Sequence, residues 1–395
     1  MKDKPNYIVI ISAIPFPYGN ASDNAIYTFM DGFQEHGCGG EVLCLFPNSP
    51  ADHSDIEADG EYLGVKYRYL TGYTVMPKSW CRHFIDFWVS PGKKLRKHLK
   101  NLTQRYNVVA LFVAYLDYRI YRYTRICRSL GISTVMVTCE YPIFLVNNPS
   151  LVRKWAYRFF SRFIDKYIFE TKTLRDYETG VLGRKINSIV IPATMPFEDI
   201  LKTPRGQRDP YLAYSGSIHS ESKDGLGNII KAYDIFHRVH PEMRLMFIGR
   251  MANRAYYEHL IRLVDDLGLG EYVSFTGEVS RESYIHYLKD AEMMIVAKPK
   301  DSYYGGGLSS KVIEYLFSGN PVIMVAADDY VHYLTHKVNV FFTEDNKPET
   351  LSSAMVEMYV NPEMRRRIGQ AGREYALKNF NYHILTKDLL DFVLK

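Results

Sequence analysis

The chain has 395 residues, 47% of them hydrophobic, enough for two domains each with its own core. Its 49 Lys and Arg against 44 Asp and Glu leave a formal charge of +5, which alone singles out no partner. Five scattered cysteines (Cys38, Cys44, Cys81, Cys127, Cys139) with no C-x-x-C pair exclude a zinc ribbon, argue against a disulfide framework and point to a reducing compartment. No basic-then-apolar leader precedes the first apolar run, and no run approaches the roughly 18 residues of a membrane span. The expectation is a cytoplasmic protein that can still lie on the inner face of a membrane. Charge is unevenly spread: Tyr62 to Lys185 holds 23 Lys and Arg against 7 Asp and Glu, a local +16. Something anionic is expected to meet that segment.

Tyr7 to Ser12 (YIVIIS) reads as a buried parallel strand. The loop AIPFPYGNASDNAI leads to an N-cap at Ser22 or Asp23 and a helix with apolar Ile26, Phe29, Met30 and Phe33, closed by Gly37. Glu41 to Phe46 is the second strand. No G-x-G-x-x-G joins them, so a dinucleotide site is not expected. Residues 47–60 are polar and read as a surface loop. Ser79 to Leu102 and Leu151 to Phe169, the latter read as a helix, mix aromatic with basic residues. Such a mixture suits anionic lipid head groups, or two ordinary helices with aromatics inward and solvated Lys and Arg outward. No nucleic-acid-binding motif accompanies the charge, so no nucleic acid partner is expected. Strands at Val108 to Val113 and Ser133 to Thr138 flank a helical stretch at 117–130. Glu140 follows the second of them, either as a group for sugar hydroxyls or as a plain loop carboxylate.

Lys185 to Pro210 carries Pro192, Pro196, Pro204, Gly206 and Pro210 and reads as a linker, with the boundary near Thr203. The domains are then 1–203 and 204–380. The second opens with YLAYSGSI, a strand ending at Gly216, then SESKDG and a helix over 226–239. Met243 to Gly249 is a strand with Arg250 at its end; further strands cover Tyr272 to Thr276 and Met293 to Ala297, with helices between. This regular alternation predicts an α/β domain, doubly wound on a parallel sheet. After Ala297 comes KPKDSYYGGGLSSKVIEYLFSGNPVIMV, with three glycines (Gly305, Gly306, Gly307), Leu308, a helix opened by Ser309 or Ser310, a stop at Gly319 and a strand at Pro321 to Val325. A Gly-rich loop at a strand's carboxyl end, opening a helix, offers unpaired N–H groups to an anion. Lys311 adds charge there, and Glu314 follows at i,i+3, able to accept hydrogen bonds from a vicinal diol such as ribose. A nucleoside diphosphate fits that unit.

SSKVIEYLFSGNPVI resembles the donor-site signature of family-4 (group 1) glycosyltransferases. The resemblance implies a GT-B fold: two doubly wound Rossmann-like domains facing across a cleft, with the C-terminal helix (381–395) packing back on the N-terminal, acceptor-side domain. It implies sugar transfer from a nucleotide-diphosphate sugar bound by the C-terminal domain, with Glu314 on the ribose. It also assigns the P-x-x-x-G-N-A-S loop (Gly19, Asn20) to the acceptor and donor phosphates, and Gly216 and Lys223 to the pyrophosphate. Three positions depart from the pattern. Gly306 stands where many members carry a second Glu, Ser217 where they carry an Arg, and Cys139-Glu140-Tyr141 where many have a His.

No Asp-x-Asp pair occurs, so a metal-bridged diphosphate is not expected. Lys223, Lys311, Arg250 and the N–H groups from Gly307 to Ser310 would neutralise the leaving group instead. No cofactor is expected, the nucleotide-sugar being the substrate, and the resemblance implies a retaining outcome. The reading is a glycosyltransferase for a lipid-linked or polysaccharide acceptor in surface polysaccharide biosynthesis. The alternatives are a GT-B epimerase or hydrolase of the nucleotide-sugar and a catalytically silent nucleotide-binding subunit.

Overall fold

The computed structural model describes residues 4–12, 14–17, 21–47, 56–114, 118–146, 150–300 and 306–395. Two units emerge: Met1–Met195 together with Tyr382–Lys395, and Pro196–Asn381.

The first unit is built on an eight-stranded sheet. Its strands are β1 (Asn6–Ser12), β2 (Gly39–Cys44), β3 (Asp59–Tyr62), β4 (Val65–Tyr69), β5 (Asn107–Val113), β6 (Ser133–Thr138), β7 (Lys166–Phe169) and β8 (Ser188–Val190), in the order β3-β4-β2-β1-β5-β6-β7-β8. The apolar runs of β1 and β5 sit at the centre and are covered on both faces, as continuous hydrophobic strands must be. All pairings are parallel except β3 with β4. That edge hairpin begins inside the stretch expected to be loop. Leu63 and Gly64 both have positive φ (51° and 81°), the geometry of a two-residue hairpin turn. In β4, Val65, Tyr67 and Tyr69 are buried while Lys66 and Arg68 alternate outward.

The helix expected over Leu151 to Phe169 is shorter. It runs Leu151–Ser161, and the chain then enters β7, whose four residues are all buried. Tertiary pairing decides this: Asp165 N–H donates to the Thr134 carbonyl, and the Asp165 carboxylate accepts from Thr134 N–H at 2.8 Å. The final helix, Tyr382–Leu394, packs in the first unit. Leu389, Leu390 and Val393 share a core with Ile8, Met30 and Phe33. Lys166 donates to the Phe392 and Val393 carbonyls (3.1 and 2.6 Å), satisfying the end of that helix.

The chain crosses to the second unit at 195/196, not near Thr203. Phe197 stacks on Phe317 (centroids 4.3 Å) and Ile200 is buried, so apolar side chains within the Pro-rich stretch already belong to the second unit. This unit carries six parallel strands: β9 (Tyr211–Ser215), β10 (Arg244–Ile248), β11 (Val273–Phe275), β12 (Met293–Val296), β13 (Val322–Val325) and β14 (Phe341–Thr343). Their order is β11-β10-β9-β12-β13-β14. The chain winds outward from β9 to β11, then returns to β12 and winds the other way. The reversal between β9 and β12 is the switch point at which open α/β sheets bind ligands.

Candidate functional site

At the carboxyl end of the second sheet, three loops are tied together by backbone contacts. Gly216, after β9, donates its N–H to the Ile248 carbonyl (2.9 Å), and Gly249, after β10, donates to Gly277, after β11 (3.1 Å). Gly249 sits at φ 135°, and a Cβ there would lie 2.4 Å from the Gly216 carbonyl oxygen, so only glycine allows the approach. Ile218 N–H donates to the Arg250 carbonyl (3.0 Å). Ser217 and Arg250 become neighbours, with Arg250 Nε 3.4 Å from Ser217 Oγ. An arginine at the end of the next strand thus stands beside Ser217.

Across the switch point, the helix Ser310–Ser318 begins beside β9. Gly306 (φ 97°) and Leu308 are buried, and Ser309 N–H donates to Tyr330 Oη (3.1 Å). Lys311 reaches back toward the Gly216 loop: a Cβ on Gly216 would meet its Nζ at 2.9 Å. The ammonium donates to Asp224 Oδ1 and Tyr214 Oη, both at 2.8 Å, and Tyr214 donates on to Asp224 Oδ2 (2.8 Å). Burial pushes the Lys311 ammonium below its ordinary pKa, an effect that Asp224 only partly offsets. Burial also works against the Asp224 carboxylate, but Lys311 outweighs it and holds the pKa below the usual range. Lys223 lies in the same turn, and its charge acts on both. Gly225 ends that turn at φ 66°, where a Cβ would stand 2.3 Å from the Ala297 carbonyl oxygen, pressing the turn onto the end of β12.

Glu314, one turn beyond Lys311, is turned to a different set of partners. It is buried, with Oε1 accepting from Arg281 Nη1 (2.5 Å) and Oε2 from Tyr284 Oη (2.8 Å). Arg281 also pairs with Asp199 (2.9 Å). Burial opposes the Arg281 charge, yet the Glu314 and Asp199 carboxylates more than compensate and raise its pKa. Tyr284 Oη lies 3.2 Å from Ser215 Oγ, linking Glu314 to the end of β9. An ionised carboxylate offers about four lone-pair sites. Among the described residues, Arg281 and Tyr284 use one on each oxygen.

Gly216, Ser217, Arg250, Lys223, Lys311, Glu314 and the 306–310 segment therefore all lie at one end of one sheet. Gly19 and Asn20 lie outside the described residues. Glu140 is in the first unit, exposed after β6, and forms no hydrogen bond or ion pair among the described residues. Sequence reasoning missed Tyr214, Asp224, Arg281 and Tyr284. The Ser280-capped helix Arg281–Asp290 does place Arg281 and Tyr284 at i,i+3 on one face, but nothing local says that this face meets Glu314.

Residues 197–375 match the family model described as glycosyl transferases group 1. That match covers most of the second unit. An uncharacterized glycosyltransferase of Methanocaldococcus jannaschii is 28% identical to the chain over 167 residues, 42% of this chain and 40% of the relative. The chain thus spans about two fifths of the length of that curated relative. Likeness to solved structures extends over nearly the whole chain. Sucrose-phosphate synthase from Thermosynechococcus elongatus superposes with a TM-score of 0.72 at 16% identity, covering 98% of each chain. Anabaena HepE, solved in complex with UDP and glucose, gives a TM-score of 0.70 at 13% identity, covering 97% of this chain and 98% of that one. The fold is GT-B, and its second half matches the group 1 family model.

Proposed function

We propose that the chain is a glycosyltransferase whose group 1 unit binds a nucleotide-diphosphate sugar at the β9/β12 switch point, while the first unit serves the acceptor. The observation that carries this is the state of Glu314: buried, fixed at both oxygens and left with two acceptor sites, one helical turn from an ammonium. In this reading Glu314 holds the ribose hydroxyls. Lys311, Lys223, Arg250 with Ser217, the Gly216 loop and the N–H groups from Gly307 to Ser310 face the diphosphate. Gly19, Asn20 and Glu140 are assigned to the first unit's side of the reaction, Glu140 on sugar hydroxyls.

In the reaction, the acceptor oxygen bonds to the anomeric carbon, the carbon–oxygen bond to the diphosphate breaks, and the acceptor's proton leaves with the departing diphosphate. Negative charge grows on that diphosphate, and fixed cations and helix N–H groups stabilise it without reorganising. Transfer with retention, without a bridging metal, to a lipid-linked or polysaccharide acceptor at the cytoplasmic face of a membrane is the fuller form of the proposal. The family resemblance supports it, as does a sequence without Asp-x-Asp. UDP is a reasonable first nucleotide to try, since Anabaena HepE was solved with UDP bound.

Calorimetric titration with UDP and GDP, followed by turnover assays over a panel of nucleotide-sugars, tests this. Saturable binding that Glu314→Gln weakens is expected. Binding of neither nucleotide would end the reading. A silent nucleotide-binding subunit is the second reading, favoured by Gly306, whose φ of 97° suits glycine rather than the Glu found there in many relatives. Tight UDP or GDP binding with no turnover of any donor would select it.

A further inference from the structure

In the first aromatic and basic stretch of the first unit, residues 80–89 expose Phe84, Ile85 and Val89, and the helices of the two stretches then differ. The helix Ser90–Arg105 buries Leu95, Leu99 and Leu102 and turns Lys93, Arg96 and Lys97 to solvent, the ordinary arrangement of a surface helix. The helix Leu151–Ser161 instead leaves most of its apolar residues outside. Its inward face is Tyr157 and Ser161, with Phe160 half-buried against the same core and the Tyr157 hydroxyl on Glu178. Its outward face is Leu151, Val152, Trp155 and Phe159, which are 88, 75, 66 and 38% exposed. At 100° per residue these four fall within about a third of the helix circumference. Trp155 stacks on Phe159 (5.5 Å), presenting one continuous apolar ridge. Lys154, Arg158 and Arg162 flank it, Arg153 lies on the far side of the helix, and residues 150–162 contain no Asp or Glu. The neighbouring helix Tyr118–Ser129 adds exposed Tyr121 and Arg125 beside Phe163. No helix among the described residues is long and apolar enough to cross a membrane.

We infer that the helix Leu151–Ser161 is the element by which this protein docks on an anionic lipid surface. Docking, which rests on the membrane-face acceptor in the reading above, lays the ridge at the boundary between head groups and acyl chains, with Trp155 at its centre. The surrounding guanidinium and ammonium groups then meet lipid phosphates. A second copy of the chain is the weaker candidate for this face, because pairing it with itself would bring two clusters of cations together without an acidic residue on either helix.

The test is co-sedimentation of the full chain with vesicles of mixed phosphatidylglycerol and phosphatidylcholine, and with phosphatidylcholine alone, read together with Trp emission. Expected results are pelleting with the anionic vesicles only, release by salt, and a blue shift in emission. Trp155→Ala/Phe159→Ala should lose both signals. Lys154→Glu/Arg162→Glu should weaken binding at least about fivefold for each basic charge removed. UDP or GDP affinity, measured in parallel, should match wild type in both variants and show that they are folded. Wild-type pelleting that neither variant alters would overturn the inference. So would a wild-type dimer in sedimentation velocity that the apolar variant dissolves. A wild-type chain that binds nucleotide but ignores anionic vesicles removes the docking face and spares the glycosyltransferase reading. One that pellets with these vesicles and binds no nucleotide supports docking and removes that reading.

Discussion

Arg281 Nη1 lies 2.5 Å from Glu314 Oε1, so the carboxylate of the helix Ser310–Ser318 is held by another helix and not by Lys311 one turn away. The pair fixes the Glu314 rotamer before any ligand arrives. The Glu314 side chain is 11% exposed and that of Arg281 38%, which places them between a buried and a surface ion pair. Glu314→Gln should weaken UDP or GDP binding by roughly 1.5–3 kcal/mol, the worth of hydrogen bonds to a charged group. Arg281→Gln should destabilise the fold by about 1–2 kcal/mol and reduce nucleotide affinity by less than Glu314→Gln does. A double-mutant cycle in urea unfolding should give a clear coupling energy. Strict additivity would mean that the two side chains act separately.

Lys311 has a structural and a binding role that can be separated. Lys311→Met strands the buried Asp224 carboxylate and should cost about 3 kcal/mol of stability. Adding Asp224→Asn should recover most of that loss, since a neutral amide needs no counter-charge. Nucleotide affinity, followed by calorimetry, should stay low in the double variant. Its full recovery would show that the ammonium serves only the ion pair.

Two glycines at the same sheet end should respond differently. Gly249→Ala forces a methyl against the Gly216 carbonyl and should cost at least about 2 kcal/mol, with weaker nucleotide binding as the loop after β9 is pushed away. Gly277 has φ 69° but no atom within 4 Å of a would-be Cβ, so Gly277→Ala should cost only about 1 kcal/mol and leave affinity alone. Equal effects in chemical denaturation would contradict the close approach seen here.

Glu178, beneath the exposed helix Leu151–Ser161, provides a pH signature. Burial pushes its carboxyl up to about 7, with the Tyr157 hydroxyl bond pulling weakly the other way. Below the unfolded pKa near 4.5 the group is protonated in both states and contributes no penalty. As pH rises from there to about 7, the unfolded chain releases its proton first and stability falls, by about 3 kcal/mol in all, then levels off. Glu178→Gln should flatten this part of the stability–pH curve and make the protein more stable at pH 8. An unchanged slope in denaturation at pH 5 to 8 would mean that the buried carboxylate is hydrated.

Strand and helix periodicity, glycine stops and the Ser-capped starts determined by themselves that the second half is α/β, and the family resemblance extended this to the first. The motif from Gly306 to Val325 carried the donor-site resemblance, because its loop, cap, Lys and Glu are all local in sequence. The edge hairpin at 59–69, the early end of the helix at Ser161, the crossing at 195/196 and the partners of Lys311 and Glu314 were decided only by the tertiary structure. Each depends on contacts between residues distant in the chain: Asp165 with Thr134, Phe197 with Phe317, Arg281 with Glu314, Asp224 with Lys311. Local propensity carries no information about which faces meet. Burial then chooses the ion-pair partners, since a charge removed from water must take the opposite charge that packing brings within reach.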